Sequence, residues 1–501
     1  METIKNSREL CKAAIYTSLA AILLGGCSTI RSLGPDATVT SVEEEIVVPA
    51  EWTENGPSEL PIIDWVGSFQ DSQLSELVAE GVENNPGALR SLAQFDASLA
   101  SLRISRADLY PNLSLGVNAN RTGTINQSPV DVIDGQQVFV ANNNRTVTSA
   151  RLNTGWEVDL FGRVRDGIDG SLQTAGASAS DLAAIRLSVA SRVSQTWFDV
   201  IEAERLIDLS DRDIERLARS LRLTERRFDS GLSESSDVRL ARSALANAEA
   251  LKATRLQNLN VQMRALEILI GRYPAASLDV PAALPDLPEL SGVARPEFVI
   301  NHRPDILAVE HRIAAAGYSV DVARKSLYPS LNLSASLTEQ GLDLGEVIDF
   351  QDILSNIIAN LTAPIYQGGQ IRANIAQQEA NLEAQVQNYV ETVLQAYQEV
   401  ENALDAEVRL AEREAALRVS LDEALKAEER LEVRYVEGLA TILQLLDAQS
   451  RSLNAEGQLI SSRAERLQNR VRLHVALGGG MYGEVPIEAQ TVLQSYVKDE
   501  S

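Results

Sequence analysis

The segment Arg372–Glu437 constrains the fold of this chain most strongly, because about 65 consecutive residues contain neither glycine nor proline. Such a segment predicts one helix of roughly 100 Å, several times the diameter of a compact domain. Its apolar residues recur at alternating intervals of four and three, the spacing of a coiled-coil seam. These residues are Val386, Val390, Val393, Tyr397, Val400 and Leu404. The helix cannot bury this stripe alone, so the rest of the chain must supply partners of equal length.

The composition narrows the classes of function that the chain can serve. Its net charge of −25 argues against binding to nucleic acid and against docking on anionic lipid. Only 5% of the residues are aromatic, which suits long helices better than a compact core. No nucleophile–base pattern and no phosphate-binding loop stands out. We therefore predict no enzymatic activity and no cofactor.

The N-terminus has the features of an export signal. Basic residues precede a short apolar run, Ala13–Leu24, which is too short to span a bilayer. The run ends in Leu24-Gly25-Gly26-Cys27, which resembles the bacterial lipobox, although an ordinary signal with a chance cysteine would look the same. This resemblance predicts a signal peptide at 1–26, a lipid on Cys27 and a lipid-anchored tether at 27–63.

Two further features bear on the membrane. Ser28 follows Cys27, and by resemblance to lipoprotein sorting the absence of aspartate there implies delivery to the outer membrane. A single lipid anchor holds a protein only modestly, so a second insertion device is expected. No later stretch approaches 18 unbroken apolar residues, so no transmembrane helix is predicted after the signal.

Two pairs of segments alternate apolar and polar residues and predict β-strands. The strands of the first pair lie at about 111–120 and 147–158, and those of the second pair at about 329–338 and 356–364. A strand of roughly 10 residues can cross a bilayer when it is tilted. Trp156 suits the interfacial girdle of a membrane barrel.

The chain also contains an internal duplication. Leu109-Tyr110-Pro111 recurs as Leu327-Tyr328-Pro329, and Gly231-Leu232 recurs as Gly438-Leu439. Several anchors in the same order indicate two copies of one unit. We place the first repeat at 64–290, the second at 291–480 and a C-terminal tail at 481–501. The long helices span 163–229 and 370–437.

The strand count requires an assembly of several chains. Lipid tolerates no open sheet edge, because unpaired backbone groups cost several kcal/mol each. Four strands cannot close a barrel, so two chains would give about 8 strands and three would give about 12. Small polar residues on one face favour the wider barrel, which can hold a channel. They are Ser114, Gly116, Asn118, Ser334 and Ser336.

The helix lengths lead to a matching arrangement. Segments 86–108 and 234–271 together approach the length of one long helix, as do 304–326 and 440–477. We infer that each pair of short helices stacks end to end beside a long one. The predicted fold is mainly α with a transmembrane β-barrel portion. Its trimer would form a barrel of about 12 strands and a periplasmic α-barrel of about 12 helices.

Together these features resemble the TolC-like outer-membrane efflux proteins, and among them the lipoprotein subgroup serving resistance-nodulation-division pumps. The resemblance covers about residues 64–480. Its marks are Asn85-Pro86, both Leu-Tyr-Pro sites, Asp159-Leu160-Phe161-Gly162-Arg163, and Arg434-Tyr435 through Gly438 to Leu446-Asp447-Ala448-Gln449. It implies a homotrimeric exit duct in the outer membrane of a Gram-negative bacterium. A periplasmic adaptor (membrane fusion protein) would dock on this duct, and an inner-membrane pump would supply the energy.

The resemblance also assigns roles to particular residues. It implies that adaptors dock on the hairpin tips that follow the long helices. A plain helix–turn–helix connection would need the same glycines. The tip residues are Arg227, Gly231, Leu232, Arg434, Gly438 and Leu439.

Asp447 matches the family aspartate that rings the closed pore, although a solvated helix carboxylate would look the same. Three copies around a narrow axis would select cations. Gln444 stands where some members carry a second acidic ring, so that ring is absent here. Leu443 offers an apolar constriction instead.

Asp237 and Tyr435 match a gate-locking hydrogen bond between the tip coils of the family. Some members add an arginine at the position of Ala440, which cannot form that salt bridge. The expected lock is therefore weaker in this chain.

We interpret the chain as a passive duct that carries small toxic compounds or drugs outward. A protein-secretion duct would use the same architecture, but the lipobox and the Asp159–Arg163 motif favour small-molecule efflux. A structural coiled-coil lipoprotein of the envelope would explain the heptads and Cys27. It would not explain two pairs of amphipathic strands.

Overall fold

The computed structural model describes residues 51–53, 64–123, 131–133, 136–138, 145–290, 292–342, 353–480, 484–485 and 487–498. The predicted signal peptide, Cys27 and most of the tether at 27–63 lie outside these residues. No helix in the described ranges is both long enough and apolar enough to cross a membrane.

Nine α-helices account for most of the described residues. In chain order they are α1 Ser72–Asn84, α2 Pro86–Ala107, α3 Arg163–Asp229, α4 Ser235–Leu269, α5 Pro296–His302, α6 Pro304–Lys325, α7 Gln370–Val436, α8 Ile442–Ala476 and α9 Ile487–Lys498. The long helices α3 and α7 contain 67 residues each, which corresponds to about 100 Å.

The helix lengths reveal the duplication directly. The helices α2 and α6 both contain 22 residues, and α4 and α8 both contain 35. Each repeat therefore contains one long helix and two short ones of matching length. In both repeats a glycine at positive φ precedes the long helix, Gly162 at 75° and Gly369 at 87°.

Asn85 joins the two short helices of the first repeat. Its Oδ1 accepts hydrogen bonds from the backbone amides of Gly87 and Ala88, which caps the start of α2. Its Nδ2 donates to the carbonyl of Leu269, the last residue of α4, at 2.7 Å. One side chain thus satisfies both helix ends, and α4 stacks end to end on α2.

Arg303 occupies the corresponding place in the second repeat. This buried side chain donates from Nη1 to the carbonyl of Ala476, the last residue of α8, at 3.2 Å. Arg303 directly precedes Pro304, the first residue of α6. The second pair of short helices is therefore stacked in the same way, as inferred from the sequence.

The apolar core is concentrated around these junctions. The first cluster lies between α1, α3 and α4, with Trp197, Phe198 and Leu266 fully buried. The second lies between α5, α6 and α7 and includes Ile306 and Tyr389. Five residues of the predicted seam of α7 are buried, and Val390 packs against the same cluster. The five are Val386, Val393, Tyr397, Val400 and Leu404.

Four strands form one antiparallel sheet. They are β1 Asn112–Thr122, β4 Arg145–Val158, β5 Ser330–Gly341 and β6 Leu354–Thr362, in the order β1-β4-β5-β6. Two short strands, β2 Asp131–Ile133 and β3 Gln136–Val138, pair within the segment that connects β1 to β4. The sheet therefore brings the strand pairs of both repeats together through the contact of β4 with β5.

The strand register places apolar and polar residues on opposite faces. One row across the sheet is Leu115, Leu152, Leu337 and Ser355, and the next is Ser114, Asn153, Ser336 and Asn356. Because directly opposed residues share a face, the five small polar residues predicted to point inward all lie on the same side. Ile358, opposite Ser334, and Leu354, opposite Thr338, are apolar exceptions on that side, while Ser355 and Glu339 are polar exceptions on the other side.

The segment Asp159–Arg163 forms the junction between the sheet and the helices. The carboxylate of Asp159 accepts from the backbone amides of Val164 and Arg165, each at 3.2 Å, and so caps the start of α3. The guanidinium of Arg163 binds the carboxylate of Glu157 at 2.7 Å. The ring of Phe161 stacks on Tyr328 of the second repeat, with centroids 5.0 Å apart. These contacts connect the end of β4 to the start of α3 and join the first repeat to the second.

The C-terminal tail contains a helix, α9, that was not predicted from the sequence. Tyr496 of α9 accepts a hydrogen bond from Nε of Arg103 at 2.7 Å, and the guanidinium of Arg106 lies 4.7 Å from its ring centroid. Ala489 is buried against α2 and α3 beside Phe95 and Ala175. The tail is thus part of the helical body.

Candidate gate and docking tips

Each long helix ends in a tight turn with the same hydrogen bonds. After α3, the amide of Leu232 donates to the carbonyl of Arg227 at 2.8 Å, and Gly231 has φ of 73°. After α7, the amide of Leu439 donates to the carbonyl of Arg434 at 2.7 Å, and Gly438 has φ of 80°. Both turns are Schellman motifs, which require the left-handed conformation that glycine adopts readily.

The two tips present apolar side chains to solvent. Leu232 is 68% exposed and Leu439 is 65% exposed, while Phe228 and Val436 are also largely uncovered. Exposed apolar groups of this kind are typical of surfaces for protein contact. The docking role of the tip residues stays a prediction with which their exposure is compatible.

Arg227 connects the first tip to the second. Its Nη1 donates to the carbonyls of Tyr435 at 3.0 Å and Val436 at 3.4 Å. The guanidinium also lies 5.1 Å from the centroid of the Tyr435 ring. A cation at a helix C-terminus is favourable because the last carbonyls carry partial negative charge. Arg227 thus ties the two long helices together where both end.

Tyr435 has a different partner from the one predicted. Its buried hydroxyl lies 2.8 Å from the hydroxyl of Thr224 on α3. Asp237 instead accepts from the Ser233 hydroxyl at 2.8 Å and from the Glu234 amide at 3.3 Å. Among the hydrogen bonds of the described residues, none joins Asp237 to Tyr435. The predicted pair is therefore not formed within one chain, because the carboxylate is used in the capping box that starts α4.

Further polar contacts join the coils beyond Tyr435. Arg216 on α3 donates from Nη1 to both carboxylate oxygens of Glu428 on α7, at 2.8 and 2.9 Å. Its Nη2 donates to Asp213 at 2.7 Å. Nε2 of Gln449 on α8 lies 3.2 Å from the hydroxyl of Ser220. All of these residues are buried except the partly exposed Arg216.

These residues were not predicted from the sequence, although α3 carries a signal for them. The buried stripe of α3 changes from apolar to polar towards the tip, while the alternating intervals of three and four continue. Its polar members are Ser210, Asp213, Ser220 and Thr224. Buried polar side chains on a coiled-coil seam require partners on the facing helix.

The predicted aperture residues lie on α8. Leu443 and Asp447 are exposed, and Asp447 accepts a hydrogen bond from Nε of Arg451 at 2.9 Å. Gln444 is engaged in the capping box of α8, since its side chain accepts from the amide of Thr441 at 3.0 Å. The exposed stripe of α8 thus carries Leu443 and Asp447 one turn apart, and a single chain leaves it uncovered.

No ligand set for a metal ion is found in the part of the chain that the structure describes: no three histidine, cysteine, aspartate or glutamate side chains are suitably grouped there. Burial lowers the pKa of His311, whose Nδ1 lies 2.8 Å from Oε1 of Gln173. Burial and the nearby Arg470 lower the pKa of His474 to about 4. Both histidines are therefore packing residues of the helical body.

Comparison with known proteins identifies the architecture. The family model described as outer membrane efflux protein matches residues 77–272 and 296–479, one segment in each repeat. The outer membrane protein OprJ of Pseudomonas aeruginosa is 30% identical over 92% of this chain and 95% of its own length. The toluene efflux pump outer membrane protein TtgC of Pseudomonas putida is 28% identical over 94% of this chain and 96% of its own.

A solved structure extends the similarity to three dimensions. The open state of the MtrE outer membrane channel of Neisseria gonorrhoeae superposes with a TM-score of 0.76 at 26% identity. The match covers 88% of this chain and 97% of that one. The fold is therefore that of the TolC-like channels, which combine a β-barrel with a helical barrel.

Proposed function

The chain belongs to the outer membrane efflux protein family, and from that premise we propose that it is the passive exit duct of a tripartite efflux system. It carries small toxic compounds from an inner-membrane pump across the periplasm and the outer membrane. TtgC is named for toluene efflux, and the substrates proposed here are likewise small molecules.

The observation that carries this proposal is the open sheet. Within the described residues, β1 pairs only with β4 and β6 pairs only with β5, so both outer edges have unpaired backbone groups. The residues of β6 are exposed along its whole length. Leu113, Leu115 and Ile357 on the apolar face are each at least 70% exposed. A sheet of this kind is stable in a bilayer only when neighbouring chains close it into a barrel.

A trimer would close the open sheet and would also cover the exposed apolar residues of the helices. Its three chains supply a barrel of about 12 strands, wide enough for an aqueous channel. The half of α7 nearest the tip exposes apolar side chains that a neighbouring chain would cover, including Val419, Leu425 and Val433. The same homotrimer arranges the stacked helices as a hollow cylinder in the periplasm.

The hairpin tips are the surface on which the periplasmic adaptor docks in this proposal. We place the periplasmic adaptor against the exposed Leu232 and Leu439, beside Gly231 and Gly438. The polar contacts of Tyr435 and Arg227 hold the two coils of one chain together there. Separation of these coils would widen the pore. In this proposal Thr224, and not Asp237, is the partner of Tyr435 in the hydrogen bond that locks the gate.

Cys27 supplies the lipid anchor in this proposal. Trp52 is buried and donates from its indole nitrogen to the carbonyl of Ala294 at 2.7 Å. Thr53 donates from its amide to Glu401 of α7 at 3.0 Å. Glu401 lies about 30 residues, or roughly 45 Å, from the membrane end of α7. The 27–52 segment spans up to about 80 Å when extended, so the lipid on Cys27 can reach the bilayer.

Efflux in cells tests the proposal. Deleting the gene in the native host should raise the accumulation of a fluorescent pump substrate, and the wild-type gene should restore export. Val117→Arg places a charge at the middle of the apolar face and should abolish rescue, because a charge facing lipid costs about 2–4 kcal/mol. Asn118→Arg, on the opposite face, is the matched control and should restore export. Equal rescue by both variants would contradict the membrane-facing assignment.

A further inference from the structure

Asp447 and Arg451 form a charge pair on the stripe of α8 that contains the predicted aperture. Nε of Arg451 lies 2.9 Å from Oδ2 of Asp447, and the Arg451 and Asp447 side chains are 75% and 61% exposed. The residues are four apart, so they lie on the same face of the helix as Leu443. Whichever surface Asp447 faces, Arg451 therefore faces it too.

The pair contributes little to the stability of the folded chain. An exposed ion pair between residues four apart on a helix contributes only about 0.3–0.5 kcal/mol. Gly231 corresponds to Gly438 in the duplication, so the first-repeat counterparts of Asp447 and Arg451 are Leu240 and Ala244. The first tip forms the same turn without the charge pair. The fold of a tip does not require it.

We propose that Arg451 forms a second charged ring beside the Asp447 ring and that the aperture consequently passes organic anions as well as cations. This inference rests on the proposed duct, in which three copies of α8 surround the axis. The two rings are about 6 Å apart along the helix, which is less than the Debye length of about 8 Å at physiological salt. A permeating ion therefore experiences both rings together, and their charges cancel.

Arg451 is thus a determinant of charge selectivity in this chain. A ring of aspartates alone would exclude anionic amphiphiles from the narrowest part of the duct. Adding three guanidinium groups one turn away removes that barrier. The substrate class predicted for the duct accordingly includes carboxylate- and sulfonate-bearing compounds.

Reversal potentials in a salt gradient test this directly, with the full mature chain in a planar bilayer and KCl as the probe. The wild type should show K⁺ and Cl⁻ permeabilities within about threefold of each other, because the rings cancel. Arg451→Gln should raise the preference for K⁺ at least about fivefold, since an uncompensated ring sets up a potential of several kT. Asp447→Asn should shift the preference towards Cl⁻.

Arg409→Gln provides the matched control. Arg409 on α7 also bonds an aspartate four residues earlier, Asp405, and is similarly exposed. It lies about 40 Å from the end of α7, far from the aperture, so its replacement should leave the permeability ratio unchanged.

The outcomes distinguish a failure of the charge-selectivity inference from a failure of the proposed duct. Discrete current steps whose selectivity is the same in the wild type, Arg451→Gln and Asp447→Asn would overturn the inference and leave the duct intact. To exclude a pore that is merely closed, the series is repeated with Tyr435→Phe, which removes the tip hydrogen bond. The absence of steps in both backgrounds would contradict the duct itself.

Discussion

The hydroxyl groups of Tyr435 and Thr224 lie 2.8 Å apart in a buried contact between the two long helices. The contact is close to the turn at which each helix ends, and Arg227 binds the carbonyl of the same tyrosine. It therefore holds the two coils of one chain together at the tip. In the proposed duct, opening the pore would separate the two coils at this point.

Tyr435→Phe should increase the fraction of time that the channel is open. The substitution keeps the buried ring and removes one hydrogen bond, which is worth about 0.5–1.5 kcal/mol. The open-to-closed ratio should therefore rise about 2- to 13-fold for each chain. Thr224→Val removes the same bond from the other side and should have a similar effect. Single-channel recordings measure both open probabilities.

Asp237→Asn distinguishes this contact from the pair predicted by family resemblance. Because Asp237 caps α4 and does not contact Tyr435 in the structure, its replacement should leave the open probability close to that of the wild type. An increase as large as that of Tyr435→Phe would mean that Asp237 contributes to the lock after all.

Asn85→Ala should destabilise the junction between α4 and α2. The variant loses the cap of α2 and leaves the carbonyl of Leu269 without its side-chain donor. Loss of an N-cap costs about 1 kcal/mol, and loss of the part-buried hydrogen bond to Leu269 costs about 0.5–1.5 kcal/mol more. Asn85→Asp keeps the cap but not the donor, so it should fall between the wild type and Asn85→Ala in denaturant midpoint. Equal midpoints for all three proteins would contradict the role assigned to Asn85.

Glu414 should make stability depend on pH under acidic conditions. Burial alone would raise the pKa of Glu414, but hydrogen bonds from Arg466, Arg418 and Arg463 outweigh burial and lower the pKa to about 2. Because this pKa is below the ordinary value of 4.5, the stabilisation is complete above about pH 4.5 and is lost as the pH falls through 2.

Glu414→Gln should remove this contribution. The melting temperature of the variant should be lower than that of the wild type at pH 7, and the difference should shrink as the pH falls from 4.5 towards 2. Glu412→Gln changes an exposed carboxylate on the same helix and should show a much smaller effect at every pH. A constant difference between Glu414→Gln and the wild type across this range would refute the ion cluster as its source.

Leu232→Ser and Leu439→Ser should weaken adaptor docking without altering the trimer. Both leucines are exposed and make the tips apolar, so removing them takes contact area from the interface but none from the core. Site-specific crosslinking to the adaptor measures docking, and native gel mobility measures the trimer. Leu251→Ser, at an exposed leucine of α4 about 25 Å from the tip, is the control and should dock normally.

The fold could be predicted well from the sequence because apolar residues recur at regular intervals within its main helices and strands. The intervals of four and three on α7 led to the buried seam from Val386 to Leu404, which the structure confirms. Alternation in the strands predicted which residues share a face, and the cross-strand register agrees. Equal helix lengths in the two repeats followed from the paired glycines. Each of these features is encoded within a few residues of the place where it acts.

The gate contacts were harder to predict because they join residues far apart in the chain. Thr224 and Tyr435 are separated by 211 positions, and their contact depends on how two helices are rotated about their axes. The family pattern predicted Asp237 as the partner, but capping of α4 already occupies that carboxylate. The docking of α9 was missed for the same reason, since Arg103 and Tyr496 are 393 positions apart.

Single-channel conductance of the mature protein in a planar bilayer tests the central claim most directly. We predict discrete steps of uniform size, which become more frequent with Tyr435→Phe and are lost with Val117→Arg on the lipid-facing side of β1. Uniform steps would establish that copies of this chain assemble into a pore. A protein that gives no steps, even with Tyr435→Phe, would contradict the duct and leave a coiled-coil rod anchored to the envelope.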